Sequence, residues 1–108
     1  MKESKIKLLK EILDTGIYDV NTETGQIYNN NTKRFIGNSV NKTGFKTVTF
    51  TYLDPETGKA KNYIYYTHLV IAYVGGLNIH RHIKFRNDDK TDIRIENLRL
   101  ENKLRNFK

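Results

Sequence analysis

The side chains best able to do chemistry crowd into one stretch, His80 to Asn106, reading HRHIKFRNDDKTDIRIENLRLENKLRN. His80 and His82 alternate, so on a strand from about Ile79 to Arg86 both imidazoles would leave the same face. An imidazole can take a proton from water or ligate a metal. Two histidines without a third ligand make an incomplete metal site, and neutral surface histidines are the plainer reading. The loop Asn87 to Asp92 crowds the carboxylates of Asp88, Asp89 and Asp92. It has neither the glycine nor the distal glutamate of an EF-hand. Asp and Asn favour turns closed by side-chain to backbone hydrogen bonds, so a structural role is expected of this loop.

The same stretch resembles the HNH, or ββα-metal, nuclease module of phage and intron-encoded endonucleases. Their motif runs roughly I-D-H-I-N-G-D-K-S-D-N-R-I-E-N-L-R-L before a short helix that ends in Asn. Asp89-Lys90-Thr91-Asp92-Ile93-Arg94-Ile95-Glu96-Asn97-Leu98-Arg99-Leu100 follows it without a gap at nearly every position, and Asn106 falls where the last motif residue sits. Upstream, YDVNTETGQIY, GNSVNKTGFKTVTF and YIYYTHLVIAYVGG are similar, in order, to the family's Y-D-x-x-T-G-x-L, G-x-x-N-x-x-G-Y-x-x-V and Y-x-x-H-R-L-A-W segments. The resemblance spans about residues 17 to 106.

In that family a divalent ion neutralises the phosphodiester and stabilises the leaving oxygen, while a histidine takes the proton from the attacking water. The resemblance implies that this chemistry is broken here, because the family's metal-binding Asp and general-base His fall on Lys84 and Phe85. A phenyl ring accepts no proton, and a protonated lysine has no lone pair for a metal. Lys84 can instead fill the charge slot that the metal vacates and contact a phosphate. Asn97 and Asn106 are the remnants of the site, and Asn97 is expected to tie the loop to the backbone. His82 would be the base only if the loop before Asn97 carried extra residues; magnesium or another divalent ion would then be the cofactor, and otherwise none is expected. His68 stands where the family has a His and is read as a packing histidine. The Arg that follows in the family is Leu69 here, which removes one basic group.

Nineteen Lys and Arg against twelve Asp and Glu give a formal charge of +7. That balance favours a polyanionic partner, with duplex DNA expected. Lys42, Lys46, Lys84, Arg86, Arg94, Arg99 and Arg105 are the candidate phosphate contacts. An acidic protein surface would satisfy the same charge, so a phage factor that binds a host or defence protein is the alternative. An active metal-dependent nicking endonuclease using His82 is the third reading. The absence of Cys excludes disulfides, thiolate catalysis and Cys-based zinc sites. It also fits a reducing cytoplasm, that of the host cell if the protein is phage-encoded. No apolar run approaches the ~18 residues of a membrane span, and no signal-peptide core follows the N-terminal lysines. No membrane partner is expected, and the oligomeric state stays open.

A length of 108 residues suits one small domain with a modest core. Ile6, Leu9 and Leu13 form a helical stripe with Leu8 and Ile12 beside it, opposite the charged row Glu3, Lys7 and Glu11. Gly16 suits a left-handed helix end. From Ile17 to Tyr66 short strands alternate with polar turns, which predicts an antiparallel meander. Gly25 closes the first hairpin, and Val48, Phe50 and Tyr52 line one face of a strand from Phe45 to Leu53. Thr67 is expected to cap a helix running to Val74 that buries Leu69, Val70 and Tyr73. The expected fold is α+β: an N-terminal helix within residues 1–15, a β-meander over 17–66, and a helix with an HNH-like ββα module over 67–108.

Overall fold

The computed structural model describes residues 1–101. The closing helix expected from Glu101 to Phe107, with Arg105 and Asn106, lies outside the described residues apart from Glu101 itself. Among the described residues, two α-helices and small antiparallel sheets make an α+β fold.

Helix α1 spans Glu3–Asp14 and ends at Gly16, whose φ of 78° is the left-handed geometry expected of it. Its deepest side chains are Leu9 and Ile12, while Ile6, Leu8 and Leu13 are half-buried. The buried stripe is thus centred one step round from the Ile6–Leu9–Leu13 line, so that Ile12 joins the core instead of flanking it. Tyr65 helps to hold the helix in place, its hydroxyl donating to the Lys5 carbonyl at 2.9 Å.

The strands form two separate three-stranded sheets rather than one meander. In the first, β1 (Tyr18–Asn21), β2 (Gln26–Asn29) and β3 (Arg34–Ile36) pair in chain order. In the second, β4 (Ser39–Val40), β5 (Lys46–Leu53) and β6 (Ala60–Tyr66) do the same. The division falls at Gly37, which has a φ of 88° and whose carbonyl accepts from Thr67 Oγ1 at 3.0 Å. A Cβ there would lie 3.1 Å from Thr67 Cγ2, so the chain turns between sheets where only glycine fits easily.

Helix α2, Thr67–Val74, follows β6 directly. Tyr66 occupies the cap position without a side-chain bond, and Thr67 spends its hydroxyl on Gly37, which corrects the expected cap. The buried side also differs. Thr67, His68, Val70, Ile71 and Ala72 are buried, whereas Leu69 and Tyr73 are half-exposed. A helix buried over so wide an arc is flanked on several sides, here by β1, β5 and β6 and by Ile95, which lies against Gly75.

Beyond α2 the chain makes a two-stranded ribbon of β7 (Ile83–Phe85) and β8 (Leu98–Leu100), joined by a long polar loop that closes on a 3-10 turn at Ile95–Asn97. The first hairpin seats this region. Ile95 N donates to the Thr22 carbonyl at 2.8 Å, and a Cβ on Gly25 would stand 2.8 Å from Ile93 Cγ1. Gly25 therefore serves close approach as well as its φ of 76°. One cluster of buried side chains joins both helices to β1, β2, β5, β6 and the ribbon, from Leu9 and Ile12 through Phe50, Tyr65 and Ile71 to Ile93 and Leu98.

Candidate nucleic-acid interface

Antiparallel pairing sets Lys84 of β7 directly opposite Arg99 of β8. Directly opposed residues leave the same sheet face, so two cations share one side of the ribbon. Lys84 and Arg86 are exposed and Arg99 is half-buried.

The polar loop between the strands is organised by Asn97, which is only 5% exposed. Its amide nitrogen donates to the Asp92 carbonyl at 2.7 Å and to Asn87 Oδ1 at 2.9 Å, and its Oδ1 accepts from Asn87 N at 3.1 Å. Asn87 Oδ1 also accepts from Asp89 N, and Asp89 Oδ1 from Thr91 N, so successive side chains close successive turns. The Thr91 hydroxyl bond is the main reason that the Asp89 carboxyl stays below its ordinary range.

Arg94 belongs to this internal network. Its guanidinium grips Asp92 at 2.8 and 2.7 Å and reaches Glu96 at 3.1 Å. Those hydrogen bonds hold the Asp92 carboxyl down at about 2 and raise the guanidinium further. Among the expected phosphate contacts Arg94 thus differs from Lys84 and Arg86, since its charge is already met by two carboxylates.

Lys42 and Lys46 come from the turn and strand before β5's core. Lys90 brings that turn to the loop: its Nζ donates to the Thr43 carbonyl at 3.1 Å and sits 4.7 Å above the Phe45 ring centre. Lys46 is also close enough to help to depress Asp89. Cations remote in the chain are gathered around the same loop. Arg105 and Asn106 lie outside the described residues.

A cleft of about 630 Å³ opens beside the ribbon, lined by Phe45, Tyr66, His68, Phe85, Lys84 and Lys90 together with His80 and His82. The histidine pair does not lie on a strand, because β7 begins only at Ile83. The strand expected from Ile79 is instead a turn, in which the His80 amide donates to Asn78 Oδ1 at 3.0 Å. Both histidines nevertheless reach the cleft, and His82 Nε2 lies 3.7 Å from Glu101 Oε1.

His68 is a packing histidine, as its sequence position led us to expect. It is 6% exposed, its ring is 4.9 Å from that of Phe85 and 5.5 Å from that of Phe45, and its Nδ1 is buried with no partner. Burial first, and His82 second, push its pKa down to about 4, so the imidazole is neutral near pH 7. Phe45 and Tyr66 were not singled out at all. Phe45 immediately precedes β5 and Tyr66 closes β6, and neither position signals locally that its ring turns toward a shared cleft.

Lys84, Phe85 and Asn97 offer a divalent ion no free donor. Lys84 brings an ammonium, Phe85 packs its ring on His68, and the Asn97 amide is committed to Asn87 and Asp92. No group of three or more His, Cys, Asp or Glu suited to a metal occurs among the described residues.

No family model matches the chain, and no curated protein matches it. A solved structure, described as DNA binding and cleavage by the HNH homing endonuclease I-HmuI, is similar at a TM-score of 0.65 and 20% identity over 84% of this chain. The chain spans about half of that one, 49%. The likeness establishes an HNH-homing-endonuclease-like fold.

Proposed function

We propose that this protein binds nucleic acid, with duplex DNA as the main form, on a scaffold derived from a phage-type HNH endonuclease whose cleavage chemistry has been lost. The observation that carries the reading is the Lys84–Arg99 pair, two cations on one face of the ribbon where a metal-binding residue is expected. An ammonium there supplies positive charge to a phosphate without a metal's Lewis acidity. Lys42, Lys46, Lys84, Arg86 and Arg99 act as backbone contacts, joined by Arg105, while Arg94 holds the loop. Phosphate contacts of this kind fix position and carry little sequence information.

Titration of duplex DNA at several salt concentrations tests the proposal. If about four to six phosphates are neutralised, log affinity falls against log salt with a slope of roughly −4 to −5. Absence of binding at low salt removes the proposal. It would promote a second reading, a factor that docks on a host or defence protein. The apolar side chains of Leu53 and Ile64, each 61% exposed on the second sheet, favour that alternative.

A further inference from the structure

The cleft beside the ribbon is built for more than a phosphate. Three of its walls are aromatic: Phe45 lies 5.4 Å from Tyr66 and 6.1 Å from Phe85, centre to centre, and His68 stacks on Phe45 at an interplanar angle of 27°. A phosphodiester needs none of these rings. Tyr66, 42% exposed, presents its ring at the rim of the cleft. One side of Phe45 is covered by the ammonium of Lys90, an exposed side chain held there by its 3.1 Å bond to the Thr43 carbonyl, which a ligand on the ring would have to replace. His68, in the same wall, keeps its buried Nδ1 without a partner. Buried polar atoms are almost always paired, so an orphan one beside a cleft calls for an explanation. The volume of about 630 Å³ lies within the range of small-ligand sites.

We infer that this cleft receives one unpaired nucleobase, stacked on Phe45 and Tyr66, with the ammonium groups of Lys84 and Lys90 on its phosphate. The base takes the place of the Lys90 ammonium over Phe45, and Lys90 moves from ring to phosphate. Aromatic stacking accepts any base, because every base has a π-face. The inference rests on the nucleic-acid reading above and narrows its target to a nucleotide out of the helical stack, whether in a strand or free.

The test compares two duplexes of equal length, one perfectly paired and one with a single bulged 2-aminopurine, binding to the full chain. The bulged duplex is expected to bind at least about fivefold more tightly, the lower end of the loss usually seen when a stacking ring is removed. Its 2-aminopurine emission should be quenched on binding. Phe45→Leu and Tyr66→Leu should each bring the ratio of the two affinities close to one. Since the ratio is taken within each variant, a general loss of affinity does not affect it; a cooperative melt checks the fold of both. Equal affinities with unchanged emission overturn the inference and leave duplex binding standing, as does a ratio that both variants retain. If neither duplex binds, the function proposed above fails and free AMP decides. Saturable shifts of the Phe45 and His68 ring resonances would then support a free-nucleotide site, and their absence would overturn it.

Discussion

The ring of His68 packs 4.9 Å from that of Phe85, joining the second residue of α2 to the end of β7. This contact makes a histidine that is neutral near pH 7 part of the wall of the cationic cleft, and it ties stability to pH. His68 titrates near 6.5 when unfolded and at about 4 when folded. Between those values the unfolded chain binds more protons, so stability is complete above about pH 6.5 and falls as pH drops toward 4, by up to about 3 kcal/mol. Melting temperature measured across that window should fall with pH, and His68→Leu should remove this component. Asp92, held at about 2 chiefly by its hydrogen bonds to Arg94, adds its own loss only below its ordinary value of 3.8. The two windows are therefore separable.

Lys84→Ala separates binding from folding. Loss of one phosphate contact should weaken DNA binding to a similar degree across sequences and make the salt slope shallower by about 1. Relief of the repulsion from Arg99 across the ribbon should leave stability unchanged or raise it by about 0.2–1 kcal/mol. A drop in both affinity and melting temperature would show that Lys84 is a structural residue.

Purified protein is expected to leave supercoiled plasmid intact with magnesium or manganese, because neither Lys84 nor Phe85 can serve a metal site. If nicking appears and His82→Ala abolishes it while binding persists, His82 is the base. Lys84→Asp combined with Phe85→His should restore weak nicking that requires a divalent ion, and neither change alone should suffice. Phe85 packs on His68 and is half-buried, so its replacement costs up to about 3 kcal/mol, less than full truncation of a buried Phe. A cooperative melt must accompany the activity measurement.

Asn97→Ala should destabilise the protein by about 3 kcal/mol, since it removes three hydrogen bonds at about 1 kcal/mol each and strands the groups that made them. Chemical denaturation provides the number. Amide exchange should show the loop from Asn87 to Asp92 opening before the sheets do.

Local chemistry made much of this protein legible from its residues. Alternation along Val48, Phe50 and Tyr52 marks the inner face of β5, and the Asn and Asp run marks the loop after β7, because side-chain period and turn hydrogen bonds act over a few neighbouring residues. The α+β class follows from the same local signals, and the similar solved structure agrees with it at the level of the fold. What tertiary structure decided is which distant residues meet. The division into two sheets falls where Thr67 bonds to Gly37, and the wall of the cleft forms from Phe45, His68 and Phe85, which arrive from three separate parts of the chain. Arg94 counts equally with Arg99 in the sequence, yet Asp92 and Glu96 enclose one while β7 sets Lys84 opposite the other. A cation's charge is a property of its residue, whereas its freedom to meet a phosphate depends on which groups the fold brings within about 3 Å of it.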